Sequence, residues 1–308
     1  MKAVSFSVPK PFQKFDAASA EKKIINFIRK IVKDSGSKGV VLGLSGGIDS
    51  ALVAALCSRA LGVENVHPIF FDSTETGKLD NVGDSCDFCN SGKDTSKDYQ
   101  DAVLICEQFG LTLQKINLLP TFDAAVSSFG FSEPNSNLEN LVPFGNLKSR
   151  LHMSLLYYYA NSNNLLVIGT TNKTERLIGY YTKYGDGGVD LDPIADLYKT
   201  EVRLLSKFMN LPESVLIKAP SAGFWEGQSD EADFGLRYEQ LDYLLYEIEK
   251  AGIEKSNSVD SKEMGKDMRK ALNQIHLTDA QYYSILLRMK AAEHKRKLPK
   301  FPKISSFK

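Results

Sequence analysis

Val40-Val41-Leu42-Gly43-Leu44-Ser45-Gly46-Gly47-Ile48-Asp49-Ser50 is the stretch on which the fold turns. Residues 40–44 form an apolar run with no alternation, the pattern of a strand covered on both faces. Behind Ser50, Leu52, Val53, Leu56, Cys57 and Ala60 recur at helical spacing. Between strand and helix stand two glycines, which let a backbone come close to a ligand. Unpaired N–H groups at the start of the following helix attract an anion, and Ser45 and Ser50 add hydroxyls. Ser45-Gly46-Gly47-Ile48-Asp49-Ser50 therefore reads as a phosphate-binding loop. Asp49 repels phosphate unless a cation lies between them, which points to Mg²⁺. The G-x-x-x-x-G-K-[ST] loop is absent: Thr76-Gly77-Lys78 and Ser91-Gly92-Lys93 lack the strand and the following hydroxyl.

Outward from this stretch the order repeats. Ile24, Ile25, Ile28, Ile31 and Val32 mark a helix ahead of it. Strands are expected at 66–71, 113–116 and 165–169, with helices at about 102–109 and 147–160 between them. Alternation of this kind gives an α/β fold with a parallel, doubly wound sheet. The rest is expected to be a helical C-terminal part, with helices at 199–209, 238–250 and 279–294. No internal repeat is present. Residues 72–97 are polar and longer than a usual connection, which makes them an insertion or a flap. The whole chain, 1–308, is expected to be one domain carrying that insertion.

The charge balance is even, 38 Lys+Arg against 38 Asp+Glu in 308 residues, so no global field favours nucleic acid or a membrane surface. No apolar run approaches the roughly 18 residues that a membrane span needs. Residues 1–15 lack the apolar core of a signal peptide. Four cysteines do not make a disulfide framework in a chain of this size. A cytoplasmic protein is the expectation, with no nucleic-acid or membrane partner. Cys57 and Cys106 fall on apolar helix faces and read as small core residues. Cys86 and Cys89 form a lone C-x-x-C without the second pair that a structural zinc site needs.

Residues 45–50 resemble the pyrophosphate loop of the N-type ATP pyrophosphatases, enzymes that split ATP between its α and β phosphates. The hexapeptide alone does not choose within that superfamily. The later motifs do. Asn146-Leu-Lys-Ser-Arg150-Leu-His-Met153, Ile168-Gly-Thr170-Thr-Asn-Lys-Thr-Glu175 and Gly179-Tyr-Tyr-Thr-Lys183-Tyr-Gly-Asp186-Gly-Gly188 resemble the ammonia-dependent NAD synthetase family. So do Leu197-Tyr-Lys199, Lys218-Ala-Pro-Ser221-Ala, Gly227-Gln-Ser-Asp-Glu231 and His294-Lys295-Arg296, in order and spacing. The resemblance spans about residues 20–298.

That resemblance implies an adenine-nucleotide α-hydrolase-like fold and amidation of deamido-NAD by ammonia, giving NAD, AMP and pyrophosphate through an adenylated intermediate. It assigns residues 43–50, Thr170, Lys199 and Ser221 to ATP. It assigns Asp49 and Glu175 to Mg²⁺. Arg150, Lys183, Asp190, His294 and Lys295 match positions holding deamido-NAD, where cations suit a substrate bearing a pyrophosphate and a carboxylate. Asp186 matches a position near ammonia, where a carboxylate can take a proton from ammonium; on its own, Asp-Gly reads as a turn. Taken alone, Lys199 is surface charge, Glu175 a solvated helix-start residue and 294–296 a basic helix end favoured by the dipole. Where His152 stands the family often has Arg. Glutamine-using members carry an amidase domain, for which the segment ahead of Val40 is too short, so free ammonia is the expected donor. A homodimer is implied by the family only. Two rivals remain at this stage, a tRNA-thiolating pyrophosphatase and an inactive nucleotide sensor. The first leaves 181–188 unexplained; intact Asp49, Glu175 and Asp186 argue against the second.

Overall fold

In the computed structural model, residues 8–72, 95–128, 138–221, 223, 227–253 and 265–302 are described. Four strands, β1 (Gly39–Gly43), β2 (Val66–Asp72), β3 (Gln114–Asn117) and β4 (Leu165–Val167), form one sheet in the order β3-β2-β1-β4. Every pairing is parallel; Val40 lies opposite Val66 on one side and Leu166 on the other. Alternation sorts the side chains into two layers. Val40 and Leu42 enter a core shared with α1 (Ala17–Ser35), α2 (Ile48–Leu61), α3 (Thr95–Phe109) and α7 (Lys199–Phe208). Val41, Ile69 and Val167 point the other way, onto Leu156 and Ala160 of α5 (Leu138–Asn163). The doubly wound expectation is thus met, with helices on both faces. Because β1 pairs with β2 on one side and β4 on the other, the strand order reverses there. Open α/β sheets bind ligands at the carboxyl ends of such strands.

Local chemistry explains the helix limits. Asp16 caps α1 by accepting the Ser19 N–H at 3.0 Å, and Gly36 ends it at φ 71°. α2 was expected to show one apolar face, yet it is buried almost all round. Ala51, Ala54 and Ala55 let neighbours approach as closely as Leu52 and Leu56 do, and all five are fully buried. Cys57 and Cys106 are buried free thiols, as expected, and burial pushes the Cys106 thiol up to about 12.

The sequence reading differs from the structure in detail. α5 begins at 138 rather than 147, in spite of Pro143 within its first two turns. β3 is displaced by one residue from 113–116. Four short helices were not anticipated: α4 (Leu119–Ser127), α8 (Glu213–Ile217), α9 (Asp230–Phe234) and α11 (Lys266–Gln274). With α10 (Tyr238–Lys250) and α12 (Asp279–Ala291), α11 builds a second apolar cluster around Tyr238, Leu241, Leu245, Leu272 and Ile285. The final helix was expected to reach 294 but gives way to a 3₁₀ turn at Ala292–Arg296. Among the described residues, no helix is long and apolar enough to cross a membrane. Cys86, Cys89 and nearly all of the 72–97 insertion lie outside the described residues.

Candidate active site

The loop between β1 and α2 closes on itself through its two serines. Ser45 N donates to Ser50 Oγ at 3.2 Å, Ser50 Oγ donates to Gly47 O at 3.0 Å, and Gly47 N donates to Ser45 Oγ at 3.3 Å. Gly46 takes φ 73°, and a Cβ there would lie 2.3 Å from the Asp98 carbonyl oxygen, so only glycine fits. No side chain caps α2, which leaves its first N–H groups facing out of the loop.

Asp49, in the first turn of α2, meets residues from the end of β4. Asn172 caps α6 (Lys173–Ile178) and forms a capping box with Glu175. Asn172 Nδ2 also donates to Asp49 Oδ1 at 2.9 Å. Lys199 Nζ sits between the two carboxylates, bonded to Asp49 Oδ2 and, at 3.2 Å, to Glu175 Oε1. Lys199 is only 2% exposed, so it is no surface charge, and Glu175 is a helix-start residue that is half-buried rather than free in solvent. Burial alone would lower the Lys199 pKa; Asp49 and Glu175 outweigh it and hold the ammonium charged. Burial pushes Glu175 up, against the pull of Lys199.

The donor set suits a hard divalent cation. Mg²⁺ typically takes one or two carboxylates and fills the rest of its shell with water and phosphate oxygens. Asp49 and Glu175 offer that number, oriented by Asn172, which bonds Asp49 through Nδ2 and Glu175 through its backbone N–H at 3.3 Å. Among the described residues, no cluster of three or more acidic, His or Cys ligands occurs.

A cleft of about 310 Å³ opens nearby, lined by Thr171, Arg176, Lys183, Asp192, Lys295 and Arg296 among others. Lys183 and Lys295 of the cleft, and Arg150 beside them, are tied to backbone carbonyls. Lys183 Nζ donates to His294 O at 2.8 Å, Lys295 Nζ to Gly179 O and Tyr181 O at 2.6 Å each, and Arg150 Nε to Lys183 O at 3.3 Å. Arg150, Lys183, His294 and Lys295 are thereby brought together from three segments. Asp190 is held elsewhere: it accepts from Tyr157 Oη at 3.0 Å and from Val167 N at 2.7 Å. Asp186 is an exposed residue of its turn whose Oδ1 is turned inward, accepting from Ser149 Oγ at 2.7 Å and Thr182 N at 2.9 Å. Thr170 follows the carboxyl end of β4, and Ser221 Oγ accepts from Gly223 N at 3.2 Å.

Residues 20–299 match the family described as NAD synthase. The NH(3)-dependent NAD(+) synthetase of Methanosarcina mazei is 41% identical over 290 residues, which are 94% of this chain and 99% of that protein. That of Thermococcus sibiricus is 39% identical over 290 residues, 94% of this chain and 98% of that protein. The solved NH3-dependent NAD synthetase from Campylobacter jejuni subsp. jejuni superposes with TM-score 0.67 at 31% identity, covering 94% of this chain and 100% of that one. The solved NMN synthetase from Francisella tularensis gives 0.70 at 28%, with the same coverage. The chain belongs to the NAD synthase family.

Several residues of this NAD synthase site escaped the sequence reading. Asn172 orients both candidate metal ligands, and Asn-x-x-Glu at 172–175 is a capping signature that could have shown it. Tyr238 places its ring 5.1 Å from Lys199 Nζ and donates to Asp230 at 2.8 Å, a long-range contact with no local signal. Asp192 lines the cleft with a buried Oδ1 lacking any partner among the described residues. Burial pushes its carboxyl up to about 7, opposed by Arg176. His152, where the resemblance expected Arg, stacks on Phe71 at 4.5 Å, and burial drives its pKa down to about 3, so it is neutral.

Proposed function

We propose that this chain amidates deamido-NAD with ammonia at the expense of ATP, the last step of NAD synthesis, using the residues gathered where β1 and β4 end. Membership of the family supports the reaction and ATP as co-substrate. The observation that carries the site assignment is the convergence of Asp49, Glu175 and Lys199 beside the glycine loop.

A carboxylate is a poor acyl donor, because its leaving group would be oxide. A nicotinate oxygen therefore attacks the α-phosphorus of ATP, and the bond to the β-phosphate oxygen breaks. Pyrophosphate leaves, and the acyl adenylate remains. Ammonia then attacks the acyl carbon, AMP departs with the original carboxylate oxygen, and the nitrogen loses a proton. In-line transfer at phosphorus asks the protein for position and charge rather than covalent chemistry. Loop amides 46–48 and the hydroxyls of Ser45 and Ser50 hold the pyrophosphate, Lys199 supplies fixed positive charge, and Thr170 and Ser221 bind the rest of ATP. Asp49 and Glu175 would hold Mg²⁺, which when bound offsets phosphate charge. Arg150, Lys183, His294 and Lys295 hold the dinucleotide, with Asp190 beyond them, and Asp186 receives the proton from ammonium. We further assign the working form to a cytoplasmic homodimer, on family grounds alone.

The test is stoichiometry. With ATP, Mg²⁺, ammonium and deamido-NAD, NAD, AMP and pyrophosphate are expected in equal amounts. ADP formation, or no NAD, would overturn the reading. Because one similar solved chain is an NMN synthetase, nicotinate mononucleotide is the counter-substrate; faster amidation of it would reassign the acceptor.

A further inference from the structure

Lys218 lies behind the glycine loop, on the side away from Ser45 and Ser50. Its Nζ donates to Gly46 O at 3.0 Å and to Asp101 Oδ2 at 2.9 Å, and it pairs with Asp98 Oδ1. Asp101 is fixed in turn by Ser214 Oγ at 2.7 Å. The ammonium is thus engaged by protein groups, with two carboxylates against its single charge, so it is not itself a phosphate ligand.

A planar trans peptide points its C=O and its N–H in opposite directions. The Gly46–Gly47 peptide is trans, as no cis bond occurs among the described residues. Fixing Gly46 O on Lys218 therefore turns the Gly47 N–H the other way, toward the concave side, where it meets Ser45 Oγ. Glycine at 46 rotates freely, so some outside group must select one orientation. A charge-assisted bond is a strong selector. Asp98 brings the start of α3 against Gly46, and Lys218 stands three residues before Ser221. One ammonium joins three separate segments.

We propose that Lys218 is a positioning residue for pyrophosphate departure: it sets the Gly47 N–H toward the β and γ phosphates of ATP and tethers the Ser221 segment to the same loop. This rests on the loop's reading as the pyrophosphate site. Lys218→Met keeps the aliphatic stem and removes the donor. KM for ATP and the inhibition constant of inorganic pyrophosphate are expected to rise together, about ten-fold, with KM for deamido-NAD within two-fold. Lys218→Arg, which retains a charged donor, is expected to recover part of the loss. Lys218→Met also leaves Asp98 and Asp101 facing each other, so Lys218→Met combined with Asp98→Asn separates the causes. If the double variant keeps the ATP defect, the lost Gly46 bond is responsible. If it returns to wild type, or if both KM values rise in step with a fall in melting temperature, the role is structural and the proposal fails. Pyrophosphate that does not compete with ATP in the wild type would remove the loop reading itself, and this inference with it.

Discussion

In the proposed reaction one carboxylate, that of Asp186, would serve a turn and a proton transfer at once. Oδ1 accepts from Ser149 and Thr182, and desolvation of the inward-turned carboxyl raises its pKa against the pull of those bonds. Asn at 186 keeps an acceptor for both bonds, and the turn should survive. Asp186→Asn is expected to release pyrophosphate normally but to convert the adenylate slowly, with partial rescue as rising pH frees ammonia. Equal loss of both half-reactions, unrescued by pH, would return Asp186 to the turn alone. Asp49→Asn tests the metal assignment: activity should fall at least about 100-fold and need more Mg²⁺, while Asn172 retains its acceptor and the melting temperature moves little. Wild-type turnover at ordinary Mg²⁺ would sink it. Asp192 gives a pH signature. Its carboxyl, pushed up by burial from 3.8 to about 7, binds protons more tightly in the folded state. Stability therefore falls as pH rises through that window. Asp192→Asn does not titrate, so relative to wild type its melting temperature should rise by several degrees between about pH 4.5 and 8. A difference independent of pH would show that Asp192 is not buried as described.

At the scale of elements, what the sequence made legible was what is local. An unbroken apolar run, the glycines after it and helical spacing beyond them located β1, the loop and α2. Glu175 and Lys199 were legible through the family resemblance alone, because their burial depends on elements 24 to 150 residues apart meeting at one ammonium. α5 starts earlier than expected because Leu141, Phe144 and Leu147 pack on Phe122 of α4, which stabilises turns that Pro143 argues against locally. The short C-terminal helices carry too few turns for periodicity to speak. The link between α6 and the final 3₁₀ turn makes an element-scale prediction. Gly179 ends α6 at φ 74°, and a Cβ on it would lie 2.1 Å from the Ala292 Cβ. Gly179→Ala must displace the turn that carries His294 and Lys295. KM for deamido-NAD is expected to rise several-fold with KM for ATP nearly unchanged; equal changes in both would show that 292–296 does not serve the dinucleotide.

Across the whole molecule, the sheet and the helical cluster divide the work. The reversed strand order at β1 and β4 gathers the loop, Asp49 and Glu175, while Arg150 of α5 and the 3₁₀ turn after α12 bring together the cations that the proposed function gives to the second substrate. Under the proposed function such a layout would set a nucleoside triphosphate and a carboxylate side by side, with the carboxylate activated by direct attack on phosphorus. Labelling both carboxylate oxygens of deamido-NAD with ¹⁸O and analysing the products by mass spectrometry follows that attack atom by atom. The account predicts one ¹⁸O in the phosphate of AMP, one in the amide of NAD and none in pyrophosphate. AMP without label, or label in pyrophosphate, would contradict it.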